Sequence, residues 1–368
     1  MGVAVHGLWY DVLLPSMVMP YLDFLLHGGM DMEFFGLSLF GSLAGGSLLA
    51  VAAVVFVVGL TLIIKGGDWF VDSASWFAEA TGIPKFVVGA TVVSFATTLP
   101  ELLVSVRAAM NGSAQLAIGN AIGSVTSNTT LIMGVSLVAM AGIISRKEFA
   151  LKGGLLLAAI IGLTILSRSL SLPVWSAYIL WAIFVIFMVS NVIEGKKAAT
   201  AEKSASFEKK DIPAKVFFFI LGTASIVFGA EFLVSSAKTI ASGIGISETI
   251  IGFTVIALGT SLPELVTTLT AIRKKENSLS VGNIIGANII DTTLILPLCA
   301  VINGQALPVE KVNLVFDFPV CIAVCAIAVI PTIIQGRFRK WQGCALLTMY
   351  ALYMLMLVLN ETGLVVLG

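Results

Sequence analysis

The chain has 368 residues, of which 58% are hydrophobic and only 11% are charged, and its formal net charge is zero. Soluble globular chains carry about 25% charged residues, so this composition excludes a water-soluble fold, and its high hydrophobicity excludes intrinsic disorder. The balanced charge gives no sign of nucleic-acid binding, so we expect no nucleic acid among the partners.

Ten apolar stretches can each cross a hydrocarbon layer about 30 Å thick, which takes about 20 helical residues. They lie at 43–64, 84–108, 114–142, 150–167, 172–193, 214–236, 247–272, 278–303, 312–334 and 341–359. The sequence therefore predicts an all-α polytopic membrane protein with ten transmembrane helices. Residues 66–82 carry Asp68, Asp72 and Glu79 and form a polar extension between the first two spans.

Seventeen of the 21 Lys and Arg residues fall on one side of the membrane if the first span begins outside. Cytoplasmic loops carry the excess of basic residues, so we expect a plasma (inner) membrane protein with its N-terminal side outside and its central loop inside. The predicted organisation is a first five-helix repeat at 43–193, a cytoplasmic linker at 194–213 and a second repeat at 214–368. Residues 1–42 could be an interfacial segment, an extra span or an over-extended start, and we assign them no role.

The chain repeats itself at an offset of 163 residues. GATVVSFATTLPEL at 89–102 aligns with GFTVIALGTSLPEL at 252–265, and GNAIGSVTSNTTLI at 119–132 aligns with GNIIGANIIDTTLI at 282–295. From 89 to 134, 18 of 46 residues are identical to their shifted partners. Because each half has five spans, the second copy enters the membrane inverted. Inverted repeats with a binding site between them are typical of secondary transporters.

Three carboxylates, those of Glu101, Glu264 and Asp291, lie inside predicted spans with no basic residue at the same depth. An ionisable group at the bilayer centre costs roughly 2.5–3.5 kcal/mol, so these groups require cations or protons. Pro100 and Pro263 precede the two glutamates and supply no N–H to the carbonyl four residues earlier. We therefore expect free carbonyls near Ala96–Thr97 and Gly259–Thr260.

The residues around the carboxylates supply further oxygen atoms. Hydroxyls come from Thr97, Thr98, Thr260 and Ser261, and Asn128 and Asp291 occupy matching repeat positions, as do Asn120 and Asn283. Gly119, Gly123, Gly282 and Gly286 are spaced to let helices approach closely. An all-oxygen shell suits hard cations such as Ca²⁺ and Na⁺. The four cysteines have no metal-binding spacing, and no nucleophile–base pair or cofactor motif is present, so we expect neither an enzyme nor a resident cofactor.

The paired motifs resemble the alpha repeats of the calcium/cation antiporter superfamily, most closely the prokaryotic sodium/calcium exchangers. The strings that carry the resemblance are TTLPE at 97–101, GTSLPE at 259–264 and the GNxxG segments at 119–123 and 282–286. The resemblance covers residues 43–360. It implies ten helices in two inverted repeats, with Ca²⁺ and Na⁺ as substrates and the lipid bilayer as surroundings. It gives no protein partner.

The resemblance also implies roles for individual residues. Glu101 and Glu264, with the carbonyls of Thr97 and Thr260, would bind Ca²⁺. Thr98, Ser124 and the Ser94 carbonyl would line one flanking Na⁺ site, and Ser261 and the Ala257 carbonyl would line the other. Asn128 and Asp291 would complete the centre, and the first and sixth helices would slide across the core.

Three departures from the family pattern leave the coupling open. Ala96 and Thr98 replace the usual glycine and serine, and Ala287 stands where a serine matching Ser124 is expected, which puts one Na⁺ site in doubt. Asp291 resembles the aspartate of the potassium-dependent branch. Na⁺/Ca²⁺ exchange is the leading hypothesis, with cation/proton antiport, potassium-dependent exchange and a passive channel as alternatives.

Overall fold

The computed structural model describes residues 46–111, 114–140, 142, 146–201, 209–244, 259, 261–361 and 364–367. Regular structure there is helical apart from one short strand pair and a 3-10 turn at Lys209–Asp211. The helices are α1 (Gly46–Thr81), α2 (Lys85–Thr97), α3 (Leu99–Met110), α4 (Gln115–Ala139), α5 (Arg146–Leu166), α6 (Ser176–Ala201), α7 (Ile212–Gly243), α8 (Leu262–Arg273), α9 (Asn277–Asn303), α10 (Asn313–Gln335) and α11 (Lys340–Glu361).

Eight of these helices are long and apolar enough to cross a membrane, and α2 and α3, joined at a bend of 47°, would together form a ninth span. These nine correspond to nine of the ten predicted spans. The tenth, expected at 247–272, lies partly outside the described residues, and its second part is α8. The protein is thus an all-helical membrane protein.

Helix α1 is longer than a membrane crossing requires. Its 36 residues would extend about 54 Å, against a hydrocarbon core of about 30 Å. The predicted polar extension from residue 66 continues the same helix to Thr81. There Asp68 pairs with Arg273, and Lys274 Nζ lies 2.7 Å from Asp72 Oδ1, so the polar end of α1 is bound to the end of α8.

Helices α1 and α7 cross closely through repeat-equivalent glycines. A Cβ atom added to Gly59 would lie 2.9 Å from the Gly229 carbonyl oxygen, and one added to Gly222 would lie 2.8 Å from that of Gly66. Gly59 and Gly222 are 163 residues apart, and so are Gly66 and Gly229. The equivalent helices of the two copies therefore run antiparallel, as an inverted repeat requires.

The first part of the predicted linker is helical, because α6 continues to Ala201. Glu194 is the first residue of that segment. Its Oε2 atom lies 2.5 Å from Nζ of Lys152, a buried residue of α5. The linker thus begins with a residue that supplies a charged partner to a buried ammonium group. Residues 202–208 of the linker lie outside the described residues.

The hydrophobic core is centred on α4 and α9, the most deeply buried of the spans. Every residue of α9 from Leu279 to Ile290 is buried. Strands β1 (Ser171–Leu172) and β2 (Leu307–Pro308) pair antiparallel and join the loop after α5 to the loop after α9. The helices that carry Asn128 and Asp291 are therefore the most deeply buried of the described spans.

Candidate cation-binding site

The span that carries the first Pro-Glu motif is interrupted at Thr98. Its backbone angles (φ −85°, ψ 1°) nearly equal those of the repeat-equivalent Ser261 (φ −85°, ψ 4°). Pro100 and Pro263 lie in the first turns of α3 and α8, where a missing N–H costs no hydrogen bond. The prolines therefore stand at the start of a new helix in both copies.

The interruption leaves carbonyl groups free in the first copy. The Thr98 N–H donates to the Ser94 carbonyl at 2.9 Å, and the Leu102 N–H donates to the Thr98 carbonyl at 3.0 Å. Among the described residues, no backbone N–H of α3 reaches the carbonyls of Ala96 or Thr97. The expectation of free carbonyls is confirmed here, and in a membrane such groups persist only where an ion, water or protein atom satisfies them.

The three predicted carboxylates are buried and lack basic partners in the described part of the chain. The exposed fraction is 1% for Glu101 and 0% for Glu264 and Asp291. Both carboxylate oxygens of Glu101 and Asp291, and Oε2 of Glu264, have no hydrogen-bond partner there. Buried carboxylates of this kind require cations or protons to compensate their charge.

Hydroxyl groups lie beside these carboxylates. Oγ1 of Thr98 donates to the Ser94 carbonyl at 2.6 Å and lies 3.4 Å from Oε1 of Glu264. Ser124 and Ser261 are both buried, and Oγ of Ser261 has no partner among the described residues. The Ser94 carbonyl already accepts a hydrogen bond from Thr98, so a Na⁺ ion bound there would replace that hydroxyl proton.

Short π-helical turns begin at the two matching positions of α4 and α9. One covers Asn128–Ile132 and the other Asp291–Ile295. Asn128 is buried, and its Oδ1 has no partner within the described structure. π-Turns inside α-helices are frequent at functional sites, because they change the direction of a side chain. Both copies thus place their central polar residue in the same unusual local geometry.

Glycines bring α9 against α2, as the sequence predicted for Gly282 and Gly286. A Cβ atom on Gly282 would collide with the Phe86 carbonyl oxygen, and one on Gly286 would lie 2.5 Å from Oγ of Ser94. For Gly119 and Gly123, no described atom lies within 4 Å of such a Cβ. The second-copy segment equivalent to α2 lies almost wholly outside the described residues, so the packing role of these two glycines stays a prediction.

Two predicted ligands, Thr260 and Ala257, lie outside the described residues. Within them, no three His, Cys, Asp or Glu side chains converge closely enough to hold a metal ion alone. Hydroxyl, amide and carbonyl oxygens must therefore complete any cation shell, which agrees with the preference of Ca²⁺ for six to eight oxygen ligands.

The sequence reasoning missed two hydroxyl groups on the helix of the second glutamate. Thr267 and Thr268 lie three and four residues after Glu264, on the same helical face, and are fully buried without partners among the described residues. That spacing could have revealed them. Asp317 of α10 was also missed as a buried carboxylate, but Asn313 and Tyr353 donate hydrogen bonds to it, so it does not require a cation.

Comparisons with known proteins agree with this geometry. A family profile described as "Sodium/calcium exchanger protein" matches residues 51–193 and 214–359. The putative antiporter CaxA of Alkalimonas amylolytica is 32% identical over 322 residues, which cover 84% of this chain and 99% of that protein. The inner membrane protein YrbG of Escherichia coli is 35% identical over 266 residues, which cover 69% of this chain and 81% of that protein.

The fold is similar to a solved structure of the sodium-calcium exchanger NCX_Mj soaked with Na⁺ and Sr²⁺. The TM-score is 0.73 at 29% sequence identity, and the match covers 83% of this chain and 98% of the other.

Proposed function

Because the chain belongs to the sodium/calcium exchanger family, a family of transporters rather than enzymes, we propose that it is a secondary antiporter that exchanges Na⁺ for Ca²⁺. The observation that carries this proposal is the group of three buried carboxylates, Glu101, Glu264 and Asp291, which have no basic partner among the described residues. The cations bind between the two repeats near the bilayer midplane, and the protein alternates the access to that site.

In this proposal Ca²⁺ is bound by the carboxylates of Glu101 and Glu264 and by the carbonyls of Thr97 and Thr260. The buried, unpartnered glutamate oxygens and the free Thr97 carbonyl support the assignment in the first copy and for Glu264. Two negative charges and several neutral oxygens make up the kind of ligand shell that Ca²⁺ takes in proteins.

Na⁺ would occupy positions that flank the Ca²⁺ site. Thr98, Ser124 and the Ser94 carbonyl would line one position, and Ser261 with the Ala257 carbonyl the other. The contact between Thr98 and Glu264 supports the first, because a Na⁺ ion there would touch a Ca²⁺ ligand. Asn128 and Asp291 would complete the centre of the site.

Exchange follows physically from the shared carboxylates. Na⁺ ions at the flanking positions and Ca²⁺ at the centre compete for the same negative charge, so both cannot be bound at full occupancy. An empty site leaves buried carboxylates uncompensated, which is costly in a low-dielectric core. The loaded states therefore cross more readily than the empty one, and α1 and α7 would slide across the core to change the side of access.

The test is Ca²⁺ uptake into vesicles that contain the purified protein. Vesicles loaded with Na⁺ are diluted into Na⁺-free buffer with labelled Ca²⁺, and Glu264→Gln serves as the control variant. We expect uptake that requires internal Na⁺ and is lost in the variant. Normal uptake by Glu264→Gln would refute the site assignment, and uptake driven by a pH gradient without Na⁺ would select cation/proton antiport.

Potassium dependence is tested in the same vesicles. The notable residue is Asp291, because an additional carboxylate at the centre of the site could compensate a further monovalent cation. If K⁺ is co-transported, Na⁺-driven Ca²⁺ uptake should require K⁺ on the Ca²⁺ side, and Asp291→Asn should remove that requirement. Uptake that is indifferent to K⁺ in the unmodified protein would exclude it.

The protein is a multi-pass membrane protein, and we place it in the inner membrane with the start of α1 outside and residues 194–213 in the cytoplasm. The distribution of Lys and Arg residues supports this orientation. Ser169 and Lys197 are exposed at opposite ends of the protein and can each be replaced by cysteine after Cys344→Ser. An impermeant thiol reagent should label Ser169→Cys in intact cells, and Lys197→Cys only after permeabilisation.

A further inference from the structure

Two repeat-equivalent asparagines, Asn120 and Asn283, hold the two sides of the interruption between α2 and α3. Thr97, the last residue of α2, donates from Oγ1 to Oδ1 of Asn283 at 3.1 Å. Beyond the interruption, Nδ2 of Asn120 donates to Oγ of Ser105 at 3.0 Å and lies 3.4 Å from the carbonyl of Glu101. One asparagine therefore anchors the segment before the break, and the other anchors the segment after it.

The backbone hydrogen bonds of this region are incomplete. The Thr98 N–H and the Thr98 carbonyl keep helical hydrogen bonds, but no N–H of α3 reaches the carbonyls of Ala96 or Thr97 among the described residues, and the two helices diverge by 47° at this point. Side chains of neighbouring helices therefore contribute to the relative position of Thr97 and Glu101. Asn120 belongs to α4 and Asn283 to α9, the two central helices of the core.

The described contacts of the two asparagines differ, although the residues occupy the same position in the repeat; Thr260, the repeat equivalent of Thr97, lies outside the described residues. Asn120 uses its amide nitrogen, whereas Asn283 uses its amide oxygen. The bond from Asn120 to Ser105 has no counterpart in the second copy, where Nδ2 of Asn283 and Oγ1 of the equivalent Thr268 are both buried without a described partner.

We propose that Asn120 and Asn283 are positioning residues that set the distance between the Thr97 carbonyl and the Glu101 carboxylate. The inference rests on the proposed function, because it assigns these two groups to the same Ca²⁺ site. Each asparagine acts through a partner side chain or carbonyl. Replacing either asparagine would change the distance between the Thr97 carbonyl and the Glu101 carboxylate and weaken Ca²⁺ binding. The transport rate of the Ca²⁺-loaded protein would change little.

The test uses paired variants, Asn283→Ala with Thr97→Val and Asn120→Ala with Ser105→Ala. Thr97→Val removes the hydroxyl and keeps the carbonyl that would bind Ca²⁺. Each single variant should raise the half-saturating Ca²⁺ concentration about three- to tenfold, the range expected for one buried hydrogen bond. The maximal rate should stay nearly unchanged in Asn283→Ala, Asn120→Ala and Ser105→Ala. Within a pair the double variant should be no worse than the more severe single variant, because both remove the same bond.

Ser136→Ala is the matched control. Oγ of Ser136 on α4 and Oγ of Ser280 on α9 are 3.3 Å apart, in a buried hydrogen bond between the same two helices. Ser136 lies eight residues, more than two turns, beyond Asn128. This variant should lower the unfolding temperature in cation-free detergent and leave the half-saturating Ca²⁺ concentration unchanged.

The outcomes separate this inference from the proposed function. The positioning role is wrong if the asparagine variants lower only the unfolding temperature, as Ser136→Ala should. It is also wrong if the increases in half-saturating Ca²⁺ concentration caused by Asn283→Ala and Thr97→Val multiply in the double variant. A second readout is the rise in unfolding temperature on adding Ca²⁺ to the detergent-solubilised protein. If the unmodified protein shows no Na⁺-driven uptake and the asparagine variants still weaken this Ca²⁺ stabilisation, the exchange proposal fails and the positioning role stands.

Discussion

Oγ1 of Thr98 lies 3.4 Å from Oε1 of Glu264, so a residue of the first repeat contacts the carboxylate of the second. Both residues belong to the Pro-Glu motifs, whose glutamates are 163 residues apart in the chain. The interruption at Thr98 ends α2 at this point and brings its hydroxyl next to α8. A cation bound here would therefore take ligands from both repeats, and a movement of one repeat against the other would change its shell.

Thr98→Val should raise the half-saturating Na⁺ concentration for exchange about three- to tenfold, because it removes a hydroxyl that would be a Na⁺ ligand and keeps the side-chain shape. The measurement is Ca²⁺ uptake as a function of internal Na⁺. Thr98→Ser, which keeps the hydroxyl, should behave like the unmodified protein. An unchanged Na⁺ dependence in Thr98→Val would show that this hydroxyl is not part of the site.

Glu101→Gln should weaken Ca²⁺ binding by at least about tenfold, since a neutral amide cannot compensate the charge of the ion; a tenfold loss corresponds to about 1.4 kcal/mol. Equilibrium binding of labelled Ca²⁺ to the solubilised protein measures this directly. Glu310→Gln is the control, because that carboxylate is exposed in the loop before α10. Equal losses in both variants would point to a general effect of surface charge instead of a site.

Gly282→Ala should lower the free energy of unfolding by about 1–3 kcal/mol, because the added methyl group collides with the Phe86 carbonyl and forces α2 and α9 apart. Gly154→Ala in α5 is the matched control, since no described atom lies within 4 Å of a Cβ at that position. There, alanine should be neutral or slightly stabilising, because it favours a helix more than glycine does. The measurement is unfolding in detergent, and similar results for both variants would contradict the close crossing.

Glu194→Gln should lower the free energy of unfolding by about 3 kcal/mol, because it removes the carboxylate that lies beside the buried ammonium group of Lys152. The Lys152 side chain is only 1% exposed, and its Nζ also lies 4.6 Å from the centre of the Phe86 ring. Lys152→Met combined with Glu194→Gln should recover part of the loss, since no buried charge remains. If the double variant unfolds more readily than Glu194→Gln, the loss of stability in the single variant does not come from the buried charge of Lys152.

The sequence by itself determined the class of the protein and selected the residues of its candidate site. The apolar stretches predicted nine spans that the structure describes as helices, because a membrane crossing must satisfy its own backbone and therefore requires a long apolar helix. The internal repeat predicted inverted halves, and the antiparallel crossing of α1 and α7 through Gly59 and Gly229 agrees with it. Glu101, Glu264 and Asp291 could be selected because intramembrane carboxylates without basic neighbours are rare and costly.

Only the tertiary structure decided which of these groups meet. Residue spacing places side chains on a helical face, but the identity of the facing helix depends on how the helices cross, which spacing within one helix does not give. For this reason the sequence identified Asn120 and Asn283 as equivalents without showing that they hold opposite sides of one interruption. It also could not show that the prolines begin new helices, or that Glu194 reaches back to Lys152, since both depend on how neighbouring helices pack.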